Sequence, residues 1–181
     1  MTSVAAGTAL VALQPIFASI FIKFTGGEIP SKAWFGMGTM KLTDILITPL
    51  SCIKTSGGDV LHVMKQSDVG YCGFGEAYIS LVNGSAVKAW KRHKLMTMNV
   101  VVPVGQVKFV FRGENAYGDD DFRVEEIGED NYARITVPPG IWFGFQGFNE
   151  NQSNMLLNVS NLIHDPNEAE RKTLDQFNYK W

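Results

Sequence analysis

Cysteine is scarce: Cys52 and Cys72 are the only two in 181 residues. Their separation matches no metal-ligand spacing, and one pair is no disulfide framework, so a reducing cytoplasm is the expected compartment. An excess of charge of one sign is missing as well. With 16 basic and 18 acidic residues the formal net charge is -2, and no basic stripe or acidic tail marks a nucleic-acid partner. The Ser-His-Asp, Cys-His and phosphate-loop signatures are absent, as are internal repeats and low-complexity tracts. What remains is a chain 45% hydrophobic, with mean hydropathy near zero. That composition excludes a disordered or collagen-like chain and suffices for one full-sized core. Eighteen glycines, seven prolines and 12% aromatics favour short strands and tight turns.

Charge is also missing from residues 1–22, Lys23 being the first charged side chain. The run is about one membrane-spanning length, and three readings compete for it. A secretory signal would carry a basic start and a small-x-small cleavage site, and neither is present. A membrane anchor is weakened by Gln14, Pro15 and the nearby glycines, so membrane association is expected only if 1–22 is a real anchor. The favoured reading is an upstream extension or buried apolar arm, with Met37 or Met40 as a natural start. Gly26-Gly27-Glu28-Ile29-Pro30 has the chemistry of a linker. The chain thus divides into an apolar extension, 1–39, and a folded domain, 40–181.

The folded part reads as many short strands. Period-two alternation or short apolar runs place strands over 42–50, 60–65, 75–82, 86–94, 96–104, 106–112, 122–127, 134–137, 141–147 and 155–162. Turns fall at Ser56-Gly57-Gly58-Asp59, Asn83-Gly84, Val102-Pro103-Val104-Gly105 and Pro138-Pro139-Gly140, and an acidic loop covers 114–121. Turn signals about every ten residues favour an antiparallel sandwich or barrel. Only the tail has a helical signature. Asp165-Pro166-Asn167-Glu168 resembles a capping box with proline at the first helical position, and predicts a short C-terminal helix over 169–174.

Two segments are more specific than the strand count. The first, 85–105, runs strand, turn, strand and ends in Pro103-Val104-Gly105. The second is Thr136-Val137-Pro138-Pro139-Gly140-Ile141-Trp142-Phe143-Gly144-Phe145. Together they resemble the two signature motifs of the cupin superfamily, which implies an all-β jelly-roll barrel. Within it the chain resembles the dTDP-4-dehydrorhamnose 3,5-epimerase group over most of 40–170. Ser80, followed by Lys88-Ala89-Trp90-Lys91, is similar to that group's Ser-to-Arg-Gly-Leu-His stretch. Val137 to Phe145 is similar to its Ile-Pro-Glu-Gly-Phe-Ala-His-Gly-Phe stretch, and Gly58 with Asp59-Val60-Leu61 sits at its early Arg-Gly turn. The departures fall on the chemistry. The group's catalytic His coincides with Lys91, its phosphate-binding Arg with Lys88, its early Arg with Gly57 and its second-motif His with Phe143. Its acid Tyr coincides with Leu157 or Asn158.

The resemblance implies proton removal beside a keto group and its return on the other face. That chemistry needs a base, a proton donor and cations for a diphosphate. Period two places Lys91 and His93 on one face of their strand. His93, Lys91 and Tyr78 are the catalytic candidates; Lys88, Arg92, Glu76, Asn99 and Asn158 are the substrate-binding candidates. The competing reading is structural: a Lys-Arg-His-Lys run as a solvated edge, Tyr78 as a packing residue, and Trp90, Trp142, Phe143 and Phe145 as core. Metal-dependent cupins have a His-x-His, a Glu and a later His. Here Lys91-x-His93 and Phe143 leave one imidazole, so neither metal nor cofactor is expected. The implied protein is a cytoplasmic homodimer acting on a nucleotide-linked 4-keto-6-deoxy sugar for a cell-surface polysaccharide such as an O-antigen. The alternative is a non-catalytic cupin that binds a sugar nucleotide or serves as a partner subunit.

Overall fold

The alternation read from the sequence becomes twelve strands in the computed structural model, which describes residues 39–113, 122–148 and 153–181. The apolar stretch 1–38, with its linker and Met37, and the acidic loop 114–121 lie outside the described residues. In chain order the strands are β1 (Leu46–Pro49), β2 (Cys52–Ile53), β3 (Val60–Leu61), β4 (Glu76–Val82), β5 (Val87–His93) and β6 (Met98–Val104). They continue with β7 (Gln106–Arg112), β8 (Phe122–Gly128), β9 (Ala133–Val137), β10 (Trp142–Gly147), β11 (Asn154–Ser160) and β12 (Ala169–Arg171).

Two five-stranded antiparallel sheets, ordered β1-β9-β6-β11-β4 and β12-β5-β10-β7-β8, face each other, while β2 and β3 pair as a small ribbon. This is an all-β jelly roll. Between the sheets lie Val100, Val102, Val107, Phe109, Phe111, Ile127, Ile135 and Ile141, all almost fully buried. They reach one another because strand residues two apart share a face, and their burial supplies the main driving force for the fold. The first sheet is covered on its back as well. Arg134, with no solvent exposure, donates to the Val63 carbonyl, the Asp68 carboxylate and the Val69 carbonyl, each at 2.9 Å. These bonds strap the loop before β4 across that face.

Two short segments depart from expectation. Residues 42–44 form a 3-10 helix rather than the start of β1. The helix expected over 169–174 does not form: Ala169–Arg171 is strand β12, and only Leu174–Gln176 makes a 3-10 turn. The cause is tertiary. β5 has an open edge, and the tail fills it, pairing Ala169 with His93, Glu170 with Arg92 and Arg171 with Lys91. The pairing is extended by Trp90 N–H to the Lys172 carbonyl (2.9 Å) and Lys172 N–H to the Trp90 carbonyl (3.0 Å). A strand edge offers donors and acceptors that an isolated short helix lacks.

Candidate active site

Where the edges of the sheets diverge, between β4 on one side and β5 with β12 on the other, the barrel opens into a cavity of about 360 Å³. β5 lines it with Lys88, Ala89, Trp90 and Lys91 in succession, and a bulge interrupts the strand's alternation there. Phe143 of β10 lies opposite Lys91 and Phe145 opposite Lys88, so Gly144 alone spans Ala89 and Trp90. The extra residue reverses the alternation. Lys88 and Lys91, which strict period two would send to opposite faces, both border the cavity. Gly144 makes this possible by having no side chain. A Cβ there would lie 2.4 Å from the Ala89 Cβ and 2.7 Å from the Trp181 ring. The other glycine of the second motif, Gly140, has φ +87, a backbone setting that suits glycine. Its N–H donates to the His93 carbonyl at 2.8 Å, so the motif's turn fixes the end of β5.

Of the expected catalytic residues, Tyr78 from β4 and Lys91 both line the cavity, as do Lys88 and Asn158 of the binding set. Met98, Val100, Phe109, Phe145 and Leu156 supply apolar wall. His93 is buried inside the barrel beyond Lys91, its ring stacked on Phe143 with centroids 5.9 Å apart. Its Nδ1 is 2.5 Å from a Glu168 carboxylate oxygen. Glu168 also accepts the Leu95 and Met96 N–H groups, each at 2.8 Å. Desolvation holds His93 below its ordinary range, with Lys91 and Arg171 adding to the effect against the pull of Glu168. The imidazole is therefore neutral and donates its Nδ1 proton to Glu168. Its Nε2 is buried without a hydrogen-bond partner.

Burial also raises the Tyr78 phenol, with Glu76 and Glu168 adding to it and Asn158 opposing. Tyr78 is thus a protonated donor. Glu76 acts on Tyr78 and on Lys91 through space but is not part of the cavity lining. Asn158 accepts the Asn99 N–H through Oδ1 at 3.1 Å. Its Nδ2 is buried without a close hydrogen-bond partner, and the side chain lies near enough to the Tyr78 phenol to oppose the effect of burial there.

Besides Glu76, two more expected binding residues stand outside the cavity lining. Arg92 faces the outside of its sheet, 4.8 Å from the Trp142 ring centroid and paired with Glu170. Asn99 points to the covered back of the first sheet. There its Oδ1 accepts the Thr136 hydroxyl at 2.6 Å and its Nδ2 reaches the Gly70 carbonyl at 3.4 Å. Two residues were missed, Glu168 and Arg171. Arg171 reaches the cavity from β12. The capping-box signature had assigned both to the helix or its cap, and only the pairing with β5 brings them to the site. Among the described residues no group of three or more His, Cys, Asp or Glu is placed to hold a metal ion. No helix among them is long and apolar enough to cross a membrane.

No family profile matches the sequence, and no curated protein matches it. Solved structures do. A dTDP-sugar isomerase from Desulfovibrio desulfuricans is 31% identical, covers 76% of this chain and 90% of its own, and superposes with a TM-score of 0.69. A sugar 3,4-ketoisomerase from Thermoanaerobacterium thermosaccharolyticum in complex with TDP shares the fold at 16% identity, covering 75% and 92%, with a TM-score of 0.60. A dTDP-4-dehydrorhamnose 3,5-epimerase from Sulfolobus tokodaii does so at 16%, covering 78% and 84%, with a TM-score of 0.65. Jelly-roll topology, a cavity at the barrel mouth and the first of these relatives agree: the chain belongs to the dTDP-sugar isomerase family of cupin-fold enzymes.

Proposed function

We propose that the protein epimerises or isomerises a nucleotide-linked 4-keto-6-deoxy sugar. The observation that carries this is the composition of one cavity. The cations Lys88, Lys91 and Arg171 share it with Tyr78 and the side-chain amide of Asn158. Lys88 and Arg171, both exposed at the rim, suit a diphosphate, which a charge-assisted bond would hold. The apolar wall suits the deoxy carbon and the face of the sugar ring. Deeper in, Lys91 and Tyr78 supply the groups between which a proton next to a carbonyl can be moved. Lys91 in its cationic form would also stabilise an enolate. The reaction draws on no metal in this proposal, because a single imidazole, already bonded to Glu168, cannot make a multi-ligand site.

The same reading makes the protein a cytoplasmic homodimer in the assembly of a cell-surface polysaccharide such as an O-antigen. Ile79 and Leu81, 58% and 57% exposed on the outer face of edge strand β4, support self-association, since adjacent bare aliphatic side chains on an edge favour burial. The test is proton exchange in D2O with a dTDP-4-keto-6-deoxyhexose. Deuterium at C3 or C5 is the expected result, and none at high enzyme concentration would overturn the reading for that substrate.

One observation favours the rival, a cupin that binds the sugar nucleotide without turning it over. Phe143 occupies the second-motif position and its ring covers the His93 imidazole. Tight dTDP binding with no exchange on any 4-keto sugar would decide for that rival.

A further inference from the structure

We propose that Lys91 acts as a nucleophile, forming an imine with the keto carbon of the bound sugar. The inference rests on the substrate class proposed above and goes beyond it in the kind of catalysis. A primary amine can do what an imidazole at the same position cannot: condense with a ketone and convert it to a stronger electron sink.

The surroundings of Lys91 favour the free amine. The side chain is half-buried and, among the described residues, makes no hydrogen bond or ion pair. Phe143 faces it across the strand pair, and Phe109, Phe145 and Leu156 complete an apolar wall. Arg171, paired with Lys91 in the β5–β12 ladder, and Lys88 are cations bordering the same cavity. Desolvation, then the Arg171 charge, lower the Lys91 amine, and the opposing carboxylates Glu168 and Glu76 do not restore it. An apolar pocket with a neighbouring cation is the setting in which a lysine becomes a nucleophile near neutral pH.

The steps balance. The Lys91 nitrogen adds to the keto carbon, and its proton passes to the oxygen, giving a carbinolamine. Tyr78 protonates that hydroxyl, which leaves as water, and a protonated imine and a phenolate remain. The phenolate takes the proton from the adjacent carbon, whose electron pair enters the new carbon–carbon double bond of an enamine. A water on the opposite face returns a proton to that carbon, inverting it. The hydroxide left behind adds to the imine carbon, and collapse restores the ketone and the free amine. No oxidant or reductant is consumed.

The full-length protein is to be incubated with a dTDP-4-keto-6-deoxyhexose and sodium cyanoborohydride, then examined by intact-protein and peptide mass spectrometry, with D2O exchange followed in parallel. The expected result is a reduced secondary-amine adduct on the Lys91 peptide and a loss of exchange of about 100-fold or more in Lys91→Arg, which keeps the charge but is no nucleophile. Exchange in the wild type with no adduct on Lys91, or exchange in Lys91→Arg at the wild-type rate, would overturn the imine while leaving the epimerase reading standing. Absence of both exchange and adduct in the wild type would overturn both for that substrate.

Discussion

The two faces of the β5–β10 pair are built from adjacent residues and filled in opposite ways. On the outer face, Trp90 and Trp142 are closed over by the C-terminal tail. Ring centroids lie 5.2 Å apart for Trp90 and Phe177, 5.1 Å for Trp90 and Trp181, and 5.7 Å for Trp142 and Phe177. The Trp90 indole N–H donates to the Leu174 carbonyl at 3.4 Å. On the inner face, Lys88, Lys91, Tyr78 and Asn158 border a cavity, and buried donors or acceptors on His93 and Asn158 have no partner. Buried polar atoms in that state destabilise a fold. The difference sets a closed aromatic layer on one side of a sheet and a cavity bordered by polar side chains on the other, joined by a single bulge. Neither face is fully satisfied, since the Trp181 indole N–H is also buried without a partner; the contrast is one of close aromatic packing outside against open space inside.

The largest effect should come from the outer face. Trp90→Ala is expected to lower unfolding free energy by about 3–5 kcal/mol, read as a shift in denaturant midpoint. A loss below about 1 kcal/mol would mean the aromatic tail is not what holds this sheet. Next comes the junction between the faces. Glu168→Ala leaves the Leu95 and Met96 N–H groups and the His93 imidazole without their acceptor, and should cost about 2–3 kcal/mol by the same measurement.

The inner face should behave differently. Lys88→Ala and Arg171→Ala are each expected to weaken dTDP binding about tenfold, or about 1.4 kcal/mol, in titration calorimetry. Their stability should stay within about 0.5 kcal/mol of wild type. A large stability loss with unchanged binding would reverse the proposed division of labour.

The smallest effect is a pH dependence. His93 is held below its ordinary value of 6.5, so the unfolded chain takes up the proton first. The associated stability is complete above about pH 6.5 and is lost as pH falls through the folded value. For Glu168, burial alone would raise the carboxyl. The His93 bond and the Leu95 and Met96 amides outweigh it, and the group is lowered from 4.5. Its share is therefore present above that value and is lost at still lower pH. Denaturant midpoints should decline from pH 7 to pH 5, and His93→Gln, which can still donate to Glu168 but does not titrate, should flatten that decline.

The strands were legible because their signal is local. β4, β5, β7 and β11 alternate, and each lies within a residue or two of its expected span. Parity within β5 was harder to read. Alternation grouped Lys91 with His93, but the sequence does not announce that Gly144 faces both Ala89 and Trp90, so Lys88 and Lys91 could not be placed together by counting. Asn99 was assigned to the sugar because nothing local shows that the loop around Gly70 covers the back of its sheet. The tail carried a genuine helix-start signature, and that is why Glu168 and Arg171 were missed. Local propensity was outweighed by an open strand edge some 75 residues earlier in the chain, the separation of Glu168 from His93.

That separation has a consequence for synthesis. Glu168 braces His93, Arg171 completes the cationic rim, and the rings of Phe177, Tyr179 and Trp181 seal the reverse side of the same sheet. All follow β1 to β11 in chain order and are synthesised after them. The cavity lining is therefore complete only once β12 has been made, after the other strands that border it. Products terminated before residue 168 would lack these contacts, so a ligand selective for the finished cavity would report synthesis of this segment as well as folding.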